Sequence, residues 1–298
     1  MGYLRRLPRF EYLAPADVAA VCDVLAEYPG QARLLAGGTD LILQMRRREI
    51  VPRCIIGLKN VPEIAFIDSR EHGIVLGAMT TLSAIASSPL IAQQYDFLAH
   101  TAANMGSPEI RMVATVGGNL AGALPCSDLA SPLLVSDATV RLRSLRGERL
   151  VALGDFFLAP GQTILQSDEL LQEIHIPPRP PLSGGAYLKF HDRHAMDMTI
   201  LGVAAFMVLQ PASERVQKAR IALATGGPVP LRVKRAEEVL CGERLTEEGL
   251  EKAASAACEE ATPRTSWRAS KEYRLELIRV LTRRAVRQAW EKAKNAGP

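Results

Sequence analysis

Cysteines are few in this sequence, and their spacing does not suit a metal centre. The five cysteines are Cys22, Cys54, Cys126, Cys241 and Cys258. No two of them form a C-x-x-C pair, whereas an iron–sulfur cluster or a structural zinc ion needs several clustered thiolates. We therefore expect no metal in this chain.

Long apolar runs are also missing. The longest, Met198 to Leu209, is interrupted by Thr199 and Gly202 and falls short of the ~18 residues that span a bilayer. The first residues contain no apolar stretch typical of a signal peptide. These patterns predict no membrane span and a cytoplasmic protein.

Charge of one sign is not concentrated in any large region. The formal net charge is +4 over 298 residues, and the basic run is Arg46–Arg48. Cations at the end of a helix complement its dipole, so this run is interpreted as a helix C-terminus rather than a nucleic-acid site. Nucleic acid is not an expected partner.

What remains is the composition of a globular protein. Apolar residues make up 48% and charged residues 23%, and the length favours about two domains. Strand-like runs alternate with helical ones before residue 176, which favours α/β packing. The predicted strands are 32–36, 54–58, 74–78 and 139–144, and the predicted helices are 15–28, one from Leu41, 82–86 and 95–105. We divide this part into subdomains of about 1–58 and 59–176.

The segment Ile176–Pro181 (IPPRPP) separates two domains. Its prolines can continue neither a helix nor a central strand, so 1–176 and 182–298 are predicted as separate domains. The second contains predicted strands at 186–191, 201–209 and 219–224, followed by helices. Near-helical spacing in 271–294 predicts a final helix with the packing face Tyr273, Leu277, Leu281, Ala285 and Ala289.

A glycine pair follows the strand predicted at 32–36. Gly37 and Gly38 lack a Cβ, so their backbone N–H groups can approach an anion closely. Thr39 adds a hydroxyl, and Asp40 stands where it would cap the next helix, whose N-terminus also favours an anion. The segment suits a pyrophosphate, although a plain tight turn explains the two glycines equally well.

A second pair, Gly117-Gly118, lies between Val116 and Asn119 and is likewise interpreted as a glycine turn after an apolar strand. Two further pairs, Gly184-Gly185 and Gly226-Gly227, lack comparable surroundings. Neither candidate fits G-x-G-x-x-G or a P-loop, and no G-x-S-x-G is present. A Rossmann dehydrogenase, a phosphoryl-transfer enzyme and a hydrolase are therefore disfavoured.

Taken together and in this order, the two glycine segments resemble the medium, FAD-binding subunit of the molybdenum hydroxylase family. That family includes carbon monoxide dehydrogenase, xanthine dehydrogenase and 4-hydroxybenzoyl-CoA reductase. The likeness extends over nearly the whole chain through the segments Gly106–Arg111, Pro125–Asp128, Tyr187–Phe190 and Ala269–Arg274. Two positions depart from the pattern: Met112 stands where asparagine is frequent, and Ser266 where aspartate is frequent.

The resemblance implies an α/β (α+β) fold. A two-part FAD-binding domain of the vanillyl-alcohol-oxidase-like (PCMH) type would be followed by a smaller domain with an antiparallel sheet and a helical bundle. This chain would hold FAD, whereas molybdopterin and [2Fe–2S] clusters would belong to a large and a small partner subunit, in a dimer of heterotrimers. Electrons would pass from the clusters through FAD to an acceptor such as NAD or a quinone.

The same resemblance implies the cofactor-binding residues. Main-chain donors of Ala36–Asp40 and Thr115–Asn119 would hold the pyrophosphate from two sides. Asp128 would accept hydrogen bonds from sugar-like parts of FAD, Lys189 would lie near the flavin or its phosphates, and Ile110 would pack near the ring. The full set is Leu35, Ala36, Gly37, Gly38, Thr39, Asp40, Ile110, Thr115, Gly117, Gly118, Asn119, Asp128, Leu171 and Lys189. No residue is predicted to transfer protons.

Other interpretations of these residues stay open. Asp128 precedes the apolar run 129–135 and could cap a helix there, and Lys189 alternates with apolar neighbours and could face solvent. The pair His191-x-x-His194 could be a fragment of a metal site, but a strand would place the two side chains on opposite faces. The chain could also be a stand-alone flavin oxidoreductase, which would need a catalytic acid or base that we do not find.

Overall fold

The structure is a computed structural model that describes residues 6–193, 196–211 and 213–296. The strands are β1 (Glu11–Leu13), β2 (Ala32–Leu35), β3 (Cys54–Gly57), β4 (Ile67–Arg70), β5 (Gly73–Gly77), β6 (Thr139–Ser144), β7 (Gly147–Ala152), β8 (Phe157–Ala159), β9 (Gln162–Thr163), β10 (Leu170–Ile176), β11 (Ser183–Phe190), β12 (Leu201–Leu209), β13 (Val216–Ala224) and β14 (Leu231–Arg232). The helices are α1 (Val18–Glu27), α2 (Leu41–Arg47), α3 (Leu82–Ser87), α4 (Pro89–Gln94), α5 (Asp96–Ala103), α6 (Pro108–Val113), α7 (Val116–Ala121), α8 (Ala130–Val135), α9 (Lys234–Leu240), α10 (Glu247–Glu260) and α11 (Lys271–Asn295).

A small parallel sheet forms the first layer, with β3 between β1 and β2. Asp17 accepts a hydrogen bond from the Ala20 amide at 2.7 Å and so caps α1. Val18, Val21 and Leu25 follow at helical spacing and are buried. This apolar stripe of α1 and the buried residues of β2 and β3 form one core.

An antiparallel sheet of five strands follows, in the order β4, β5, β10, β6, β7. Its fully buried residues include Leu76, Leu142 and Ile174, which share a core with residues of α3, α5 and α8. The alternating strands and helices before residue 176 therefore build a parallel sheet, this five-stranded antiparallel sheet and a two-stranded antiparallel sheet of β8 and β9.

Strands β11 to β14 form a four-stranded antiparallel sheet, and α11 packs across β11 and β12. The expected antiparallel sheet covered by helices is confirmed. Strand β12 is buried at every position. Its Ala204, Phe206 and Val208 belong to the core of the five-stranded sheet. Its Val203 and Ala205 belong instead to the core of the C-terminal helices, as the alternation of side chains along a strand requires.

Strand β11 begins at Ser183, so Gly184 and Gly185 lie inside the sheet. A Cβ on Gly184 would overlap the backbone of α11 at Ala289, and a Cβ on Gly185 would overlap the ring of Phe97. The two glycines allow a helix and an aromatic ring to approach opposite faces of one strand. The predicted start of this strand at residue 186 is therefore too late.

Helix α11 has the predicted packing face except at its first position. Four of the predicted positions are buried: Leu277, Leu281, Ala285 and Ala289. Tyr273 is 46% exposed, so its predicted burial is wrong. It lies in the first turn, where its ring meets Phe190 edge to face with centroids 6.0 Å apart. Within the described ranges, neither α11 nor any other helix is long and apolar enough to cross a membrane.

The proline-rich connection between β10 and β11 is fastened to the helices before it. Tyr95 Oη donates a hydrogen bond to the Pro177 carbonyl oxygen at 2.6 Å, and burial raises the pKa of Tyr95 to about 12. Arg179 donates to the carbonyl oxygens of Gln94 and Ser183. The connection is thus held in place at both of its ends.

The helix predicted at 95–105 corresponds to α5, and a further helix, α4, precedes it. Tyr95 has φ −139° and ψ 60°, which separates α4 from α5, and α5 ends at Ala103. Helix α6 and strand β10 have no counterpart among the predicted elements. Both of these elements contribute neighbours of the glycine segments.

Candidate functional site

The two glycine segments meet in the structure. A Cβ on Gly37 would overlap the carbonyl oxygen of Val113, at the end of α6. A Cβ on Gly118 would lie 3.8 Å from the Cβ of Ala36. Segments that are far apart in the sequence therefore lie side by side, as a site that holds one ligand from two sides requires.

The first segment is an open turn with free donors. Gly38 has φ +71°, a left-handed conformation that glycine adopts without strain. The backbone N–H groups of residues 37–40 donate to no acceptor in the part of the chain that the structure describes. Thr39 is half-buried beside them. Successive unpaired N–H groups in such a turn suit the oxygen atoms of an anion.

Asp40 occupies the N-cap position of α2 but does not cap the helix. Its backbone is helical, with φ −102° and ψ −49°, and its carboxylate accepts no hydrogen bond from the first turn. The predicted cap is therefore wrong, because a capping side chain needs an extended backbone at this position. Partial desolvation raises the pKa of Asp40 above its ordinary value, although the residue remains exposed.

The second segment is the start of helix α7 and not a turn after a strand. Thr115 caps α7, since its Oγ1 accepts a hydrogen bond from the Gly118 amide at 3.1 Å. A Cβ on the buried Gly117 would lie 2.6 Å from the Cβ of Ala78. The glycine is needed for this close approach to the end of β5, and the contact outweighs the low helix propensity of two glycines.

Asn119 connects the second segment to the loop that contains Asp128. Its Oδ1 accepts a hydrogen bond from Ser127 Oγ at 2.6 Å. Cys126 lies in the same loop, where burial raises the pKa of its thiol and the negative charges of Asp128 and Asp40 raise it further. Asn119 directly follows Gly118, which faces Ala36, so the second segment connects this loop to the first segment.

Asp128 is a buried acceptor shared by three donors. Tyr187 Oη donates to its carboxylate at 2.6 Å and Lys189 Nζ at 2.8 Å, and Thr199 Oγ1 donates to the same group. Burial and the charge of Asp128 raise the pKa of Tyr187, so the phenol stays a donor. Helix α8 begins after Leu129 without a side-chain cap, so the alternative in which Asp128 caps it is wrong.

Lys189 lies inside the junction between the two halves of the chain. Its side chain is 12% exposed, so the alternative in which it faces solvent is wrong. Besides Asp128, its ammonium group donates to the carbonyl oxygen of Asp197 at 3.3 Å. The positive charge is therefore held in a fixed place and is partly balanced.

The remaining predicted residues are apolar and differ in exposure. Leu35 is half-buried at the end of β2, and Ile110 is half-buried on α6. Leu171 is 5% exposed, and its side chain belongs to the hydrophobic core. Because the side chain of Leu171 is buried in the core, only its main-chain atoms can contact a ligand. The next residue, Gln172, accepts a hydrogen bond from the Ala78 amide beside the second glycine segment.

Two partners of Asp128, Tyr187 and Thr199, are missing from the predicted site. Tyr187 stands two residues before Lys189, so both side chains point to the same face of β11. That spacing is a signal that the sequence contains. Thr199 lies in the loop before β12, and no local pattern connects it to Asp128.

The structure gives no support for the histidine pair as a metal site. Among the described residues, no group of three histidine, cysteine or carboxylate side chains is close enough to hold an ion. His191 contacts the carbonyl oxygen of Arg193. His194, the second member of the pair, lies outside the described residues.

Comparisons with known families agree with this geometry. Residues 8–179 match the FAD binding domain in molybdopterin dehydrogenase. Residues 186–289 match the CO dehydrogenase flavoprotein C-terminal domain. The chain belongs to the FAD-binding medium subunits of the molybdenum hydroxylases. The resemblance inferred from the glycine segments is thereby confirmed.

Relatives among these medium subunits match nearly the whole chain. The chain is 34% identical over 280 residues to the xanthine dehydrogenase FAD-binding subunit of Escherichia coli O157:H7, covering 93% of this chain and 95% of the relative. It is 31% identical over 283 residues to the carbon monoxide dehydrogenase medium chain of Hydrogenophaga pseudoflava, covering 95% and 98%. In a solved structure of the Hydrogenophaga pseudoflava enzyme, one chain matches with a TM-score of 0.93 and 31% identity, covering 96% of this chain and 99% of that one.

Membership among the medium subunits makes FAD the cofactor of this chain and makes the chain part of an oxidoreductase. The residues present fit that cofactor. Within the described ranges, the N–H groups of residues 37–40 are unpaired, and glycine at 118 leaves no side chain between the two segments. Both features suit a pyrophosphate group.

Proposed function

We propose that this chain is the electron-transfer subunit of a heteromeric molybdenum hydroxylase or dehydrogenase. FAD, when bound, would supply the two-electron chemistry that connects [2Fe–2S] clusters of a partner subunit with an acceptor such as NAD or a quinone. The protein's own part is to bind, orient and shield the cofactor. The xanthine and carbon monoxide dehydrogenase relatives support this role.

The observation that carries the proposal is the contact between the two glycine segments. The open amides of residues 37–40 lie beside the capped first turn of α7. We assign the pyrophosphate of FAD to this junction, with Ala36–Asp40 on one side and Thr115–Asn119 on the other. Leu35, Ile110 and Leu171 would add apolar or main-chain contacts.

Asp128 and Lys189 would act on FAD as an ion pair rather than separately. A carboxylate has about four acceptor sites, and three donors already occupy Asp128, so little capacity remains for sugar-like parts of the cofactor. Lys189 would place a fixed positive charge beside the flavin. We assign no proton-transferring residue to this chain.

The expected partners follow from the same role. We propose a large molybdopterin subunit and a small [2Fe–2S] subunit, assembled as a dimer of heterotrimers. We also propose that 1–176 and 182–298 are the two domains of the chain, with the proline-rich connection between them.

The first test is an absorption spectrum of the protein purified from its native host, with bound partners identified by mass spectrometry. Flavin bands together with molybdenum and iron–sulfur partners would support the proposal. Flavin without partners would favour a stand-alone oxidoreductase, and a protein without flavin would refute the proposed role.

A pair of glycine variants tests the assigned site. Gly118→Ala places a methyl group between the two segments, so FAD content should fall in the purified protein. Gly154→Ala is the matched control, because a Cβ there meets nothing within 4 Å. Equal FAD content in both variants would show that the cofactor is bound elsewhere.

A further inference from the structure

A tight turn displays Trp267 and Arg268 at the surface of the C-terminal half. Ser266 and Ala269 pair across the turn, with the Ser266 amide donating to the Ala269 carbonyl oxygen at 3.0 Å. Trp267 is 83% exposed. The guanidinium carbon of Arg268 lies 4.2 Å from the centre of the Trp267 indole. Exposure of this size is unusual for tryptophan, which normally buries most of its large apolar surface.

The turn is held from beneath by a buried arginine. Arg274 is 4% exposed, and its Nη2 donates to Ser266 Oγ at 3.0 Å. Its Nη1 donates to the carbonyl oxygen of Ile200. Ser266 Oγ also accepts a hydrogen bond from the Arg268 amide at 3.3 Å. The conformation of the turn is therefore fixed before a partner binds, which lowers the entropic cost of binding.

An exposed methionine from a distant part of the sequence lies beside the turn. Arg268 Nη2 lies 3.1 Å from Met198 Sδ, and Met198 is 46% exposed. Tryptophan and arginine are the residues most enriched at the centres of protein interfaces, and methionine adapts to the shape of a partner. We call Met198, Trp267 and Arg268 the Trp267 surface.

Basic residues predominate in the segment that carries Trp267 and Arg268, although Glu272 follows this segment and Asp197 precedes Met198. Residues 261–271 contain Arg264, Arg268 and Lys271 and no acidic residue. In the ranges that the structure describes, none of these three side chains has a carboxylate within 4.0 Å, although most other arginines of the C-terminal half are paired. Among the described residues, these three cations have no carboxylate partner and belong to the same segment as the exposed indole, which favours an acidic partner.

The Trp267 surface lies beside the proposed flavin site. Met198 directly precedes Thr199, whose hydroxyl donates to Asp128. Arg268, whose Nη2 lies 3.1 Å from Met198 Sδ, is thereby also near Thr199. A protein seated on this surface would therefore be next to the junction assigned to FAD.

We propose that the Trp267 surface is the docking site for an acidic protein partner, the [2Fe–2S] subunit that exchanges electrons with the flavin. The identity of this partner rests on the proposed function. The indole would enter an apolar pocket of the partner, and Arg264, Arg268 and Lys271 would face its carboxylates.

The test measures binding of the purified [2Fe–2S] subunit to the FAD-loaded chain, both isolated from the native complex. Trp267→Ala should weaken binding by roughly 30-fold or more, as expected for a central interface tryptophan. Arg268→Glu should weaken binding at low salt and lose most of its effect at high salt. Leu158→Ala and Arg9→Glu, which alter exposed side chains of the N-terminal half, should bind like the wild type.

FAD content and thermal stability of each variant separate this proposal from the proposed function. Loss of subunit binding with both properties unchanged supports the docking site. Binding of Trp267→Ala within threefold of the wild type would overturn it, as would loss of FAD with binding retained. A wild-type chain that binds the subunit but holds no FAD would refute the flavin role and leave the docking site standing.

Discussion

Asp128 and Lys189 form an ion pair, with 2.8 Å between Oδ2 and Nζ, that joins the loop before α8 to strand β11. Their side chains are 7% and 12% exposed. Water screens such a pair less than a surface pair, and removing either partner leaves the other charge uncompensated. The two halves of the molecule are therefore coupled electrostatically at the proposed flavin site.

Asp128→Asn should destabilise the protein. Lys189 would keep its charge in a largely buried place, and breaking a buried pair in this way costs about 3 to 5 kcal/mol. Thermal unfolding followed by circular dichroism should show a lower Tm. The double variant Asp128→Asn/Lys189→Met removes both charges and should recover part of the loss. A Tm of Asp128→Asn equal to that of the wild type would contradict this account.

Lys189→Ala should lower the reduction potential of the bound flavin or weaken FAD binding, because it removes a positive charge from beside the proposed site. Spectroelectrochemical titration gives the potential, and fluorescence titration gives the Kd. Lys218→Ala is the matched control, since Lys218 pairs with Asp137 at 2.7 Å outside the proposed site. An unchanged potential with full FAD occupancy would rule out the role of Lys189.

Acid should destabilise the protein partly through Asp137. Burial opposes ionisation of Asp137, but hydrogen bonds from Lys218 and Arg220 outweigh it and lower the pKa of the carboxyl. A lowered folded-state pKa contributes stability that is complete above the ordinary value of about 4 and is lost as pH falls through the folded value. The Tm difference between wild type and Asp137→Asn should therefore shrink below about pH 4. A difference that is constant from neutral to acid pH would contradict this.

Gly184→Ala should destabilise the C-terminal half. The new Cβ would overlap the backbone of α11 at Ala289 and Ala293, and the shift needed to accommodate it costs about 1 to 3 kcal/mol. Urea denaturation measures the loss. Gly154→Ala serves again as the control, and equal stability of the two variants would mean that α11 does not lie against β11 as described.

Ser266→Asp should stabilise the protein. Burial lowers the pKa of Arg274, and its Nε has no hydrogen-bond partner among the described residues. A carboxylate at position 266 would replace a neutral hydrogen bond with a charge-assisted one, a gain of about 1 kcal/mol. Differential scanning calorimetry should show a higher Tm. The gain should disappear in Ser266→Asp/Arg274→Met, and a lower Tm in the single variant would refute the argument.

Local signals were sufficient for the four elements that follow β1, whereas β1 itself was not predicted. Helix α1, strand β2, helix α2 and strand β3 each follow from their own periodicity and from turn residues at their ends. Strand β10 has no such basis, because its neighbours β5 and β6 are distant in the sequence and the pairing depends on tertiary packing. The start of β11 was predicted too late for the same reason. Gly184 and Gly185 are needed there because α11 and Phe97 approach the strand closely, and these contacts are tertiary.

The candidate site was predictable to the extent that it depends on short segments. The two glycine pairs stand out in the sequence, but the helical state of the second is decided by the contact between Gly117 and Ala78. The environment of Asp128 was not predictable, because its donors lie on β11 and in the loop after it. The three donors meet at the carboxylate of Asp128 only in the folded protein.

Strand β12 is buried on both faces, with Phe206 in one core and Val203 in the other. The two family matches end and begin at residues 179 and 186. The hydrophobic packing does not divide there, because β12 contributes side chains to both cores. If either part were produced alone, one face of the sheet that contains β12 would lose the side chains that pack against it. Recombination that exchanged one part between distant relatives would have to preserve the shared face, so the two parts are expected to have been inherited as a pair.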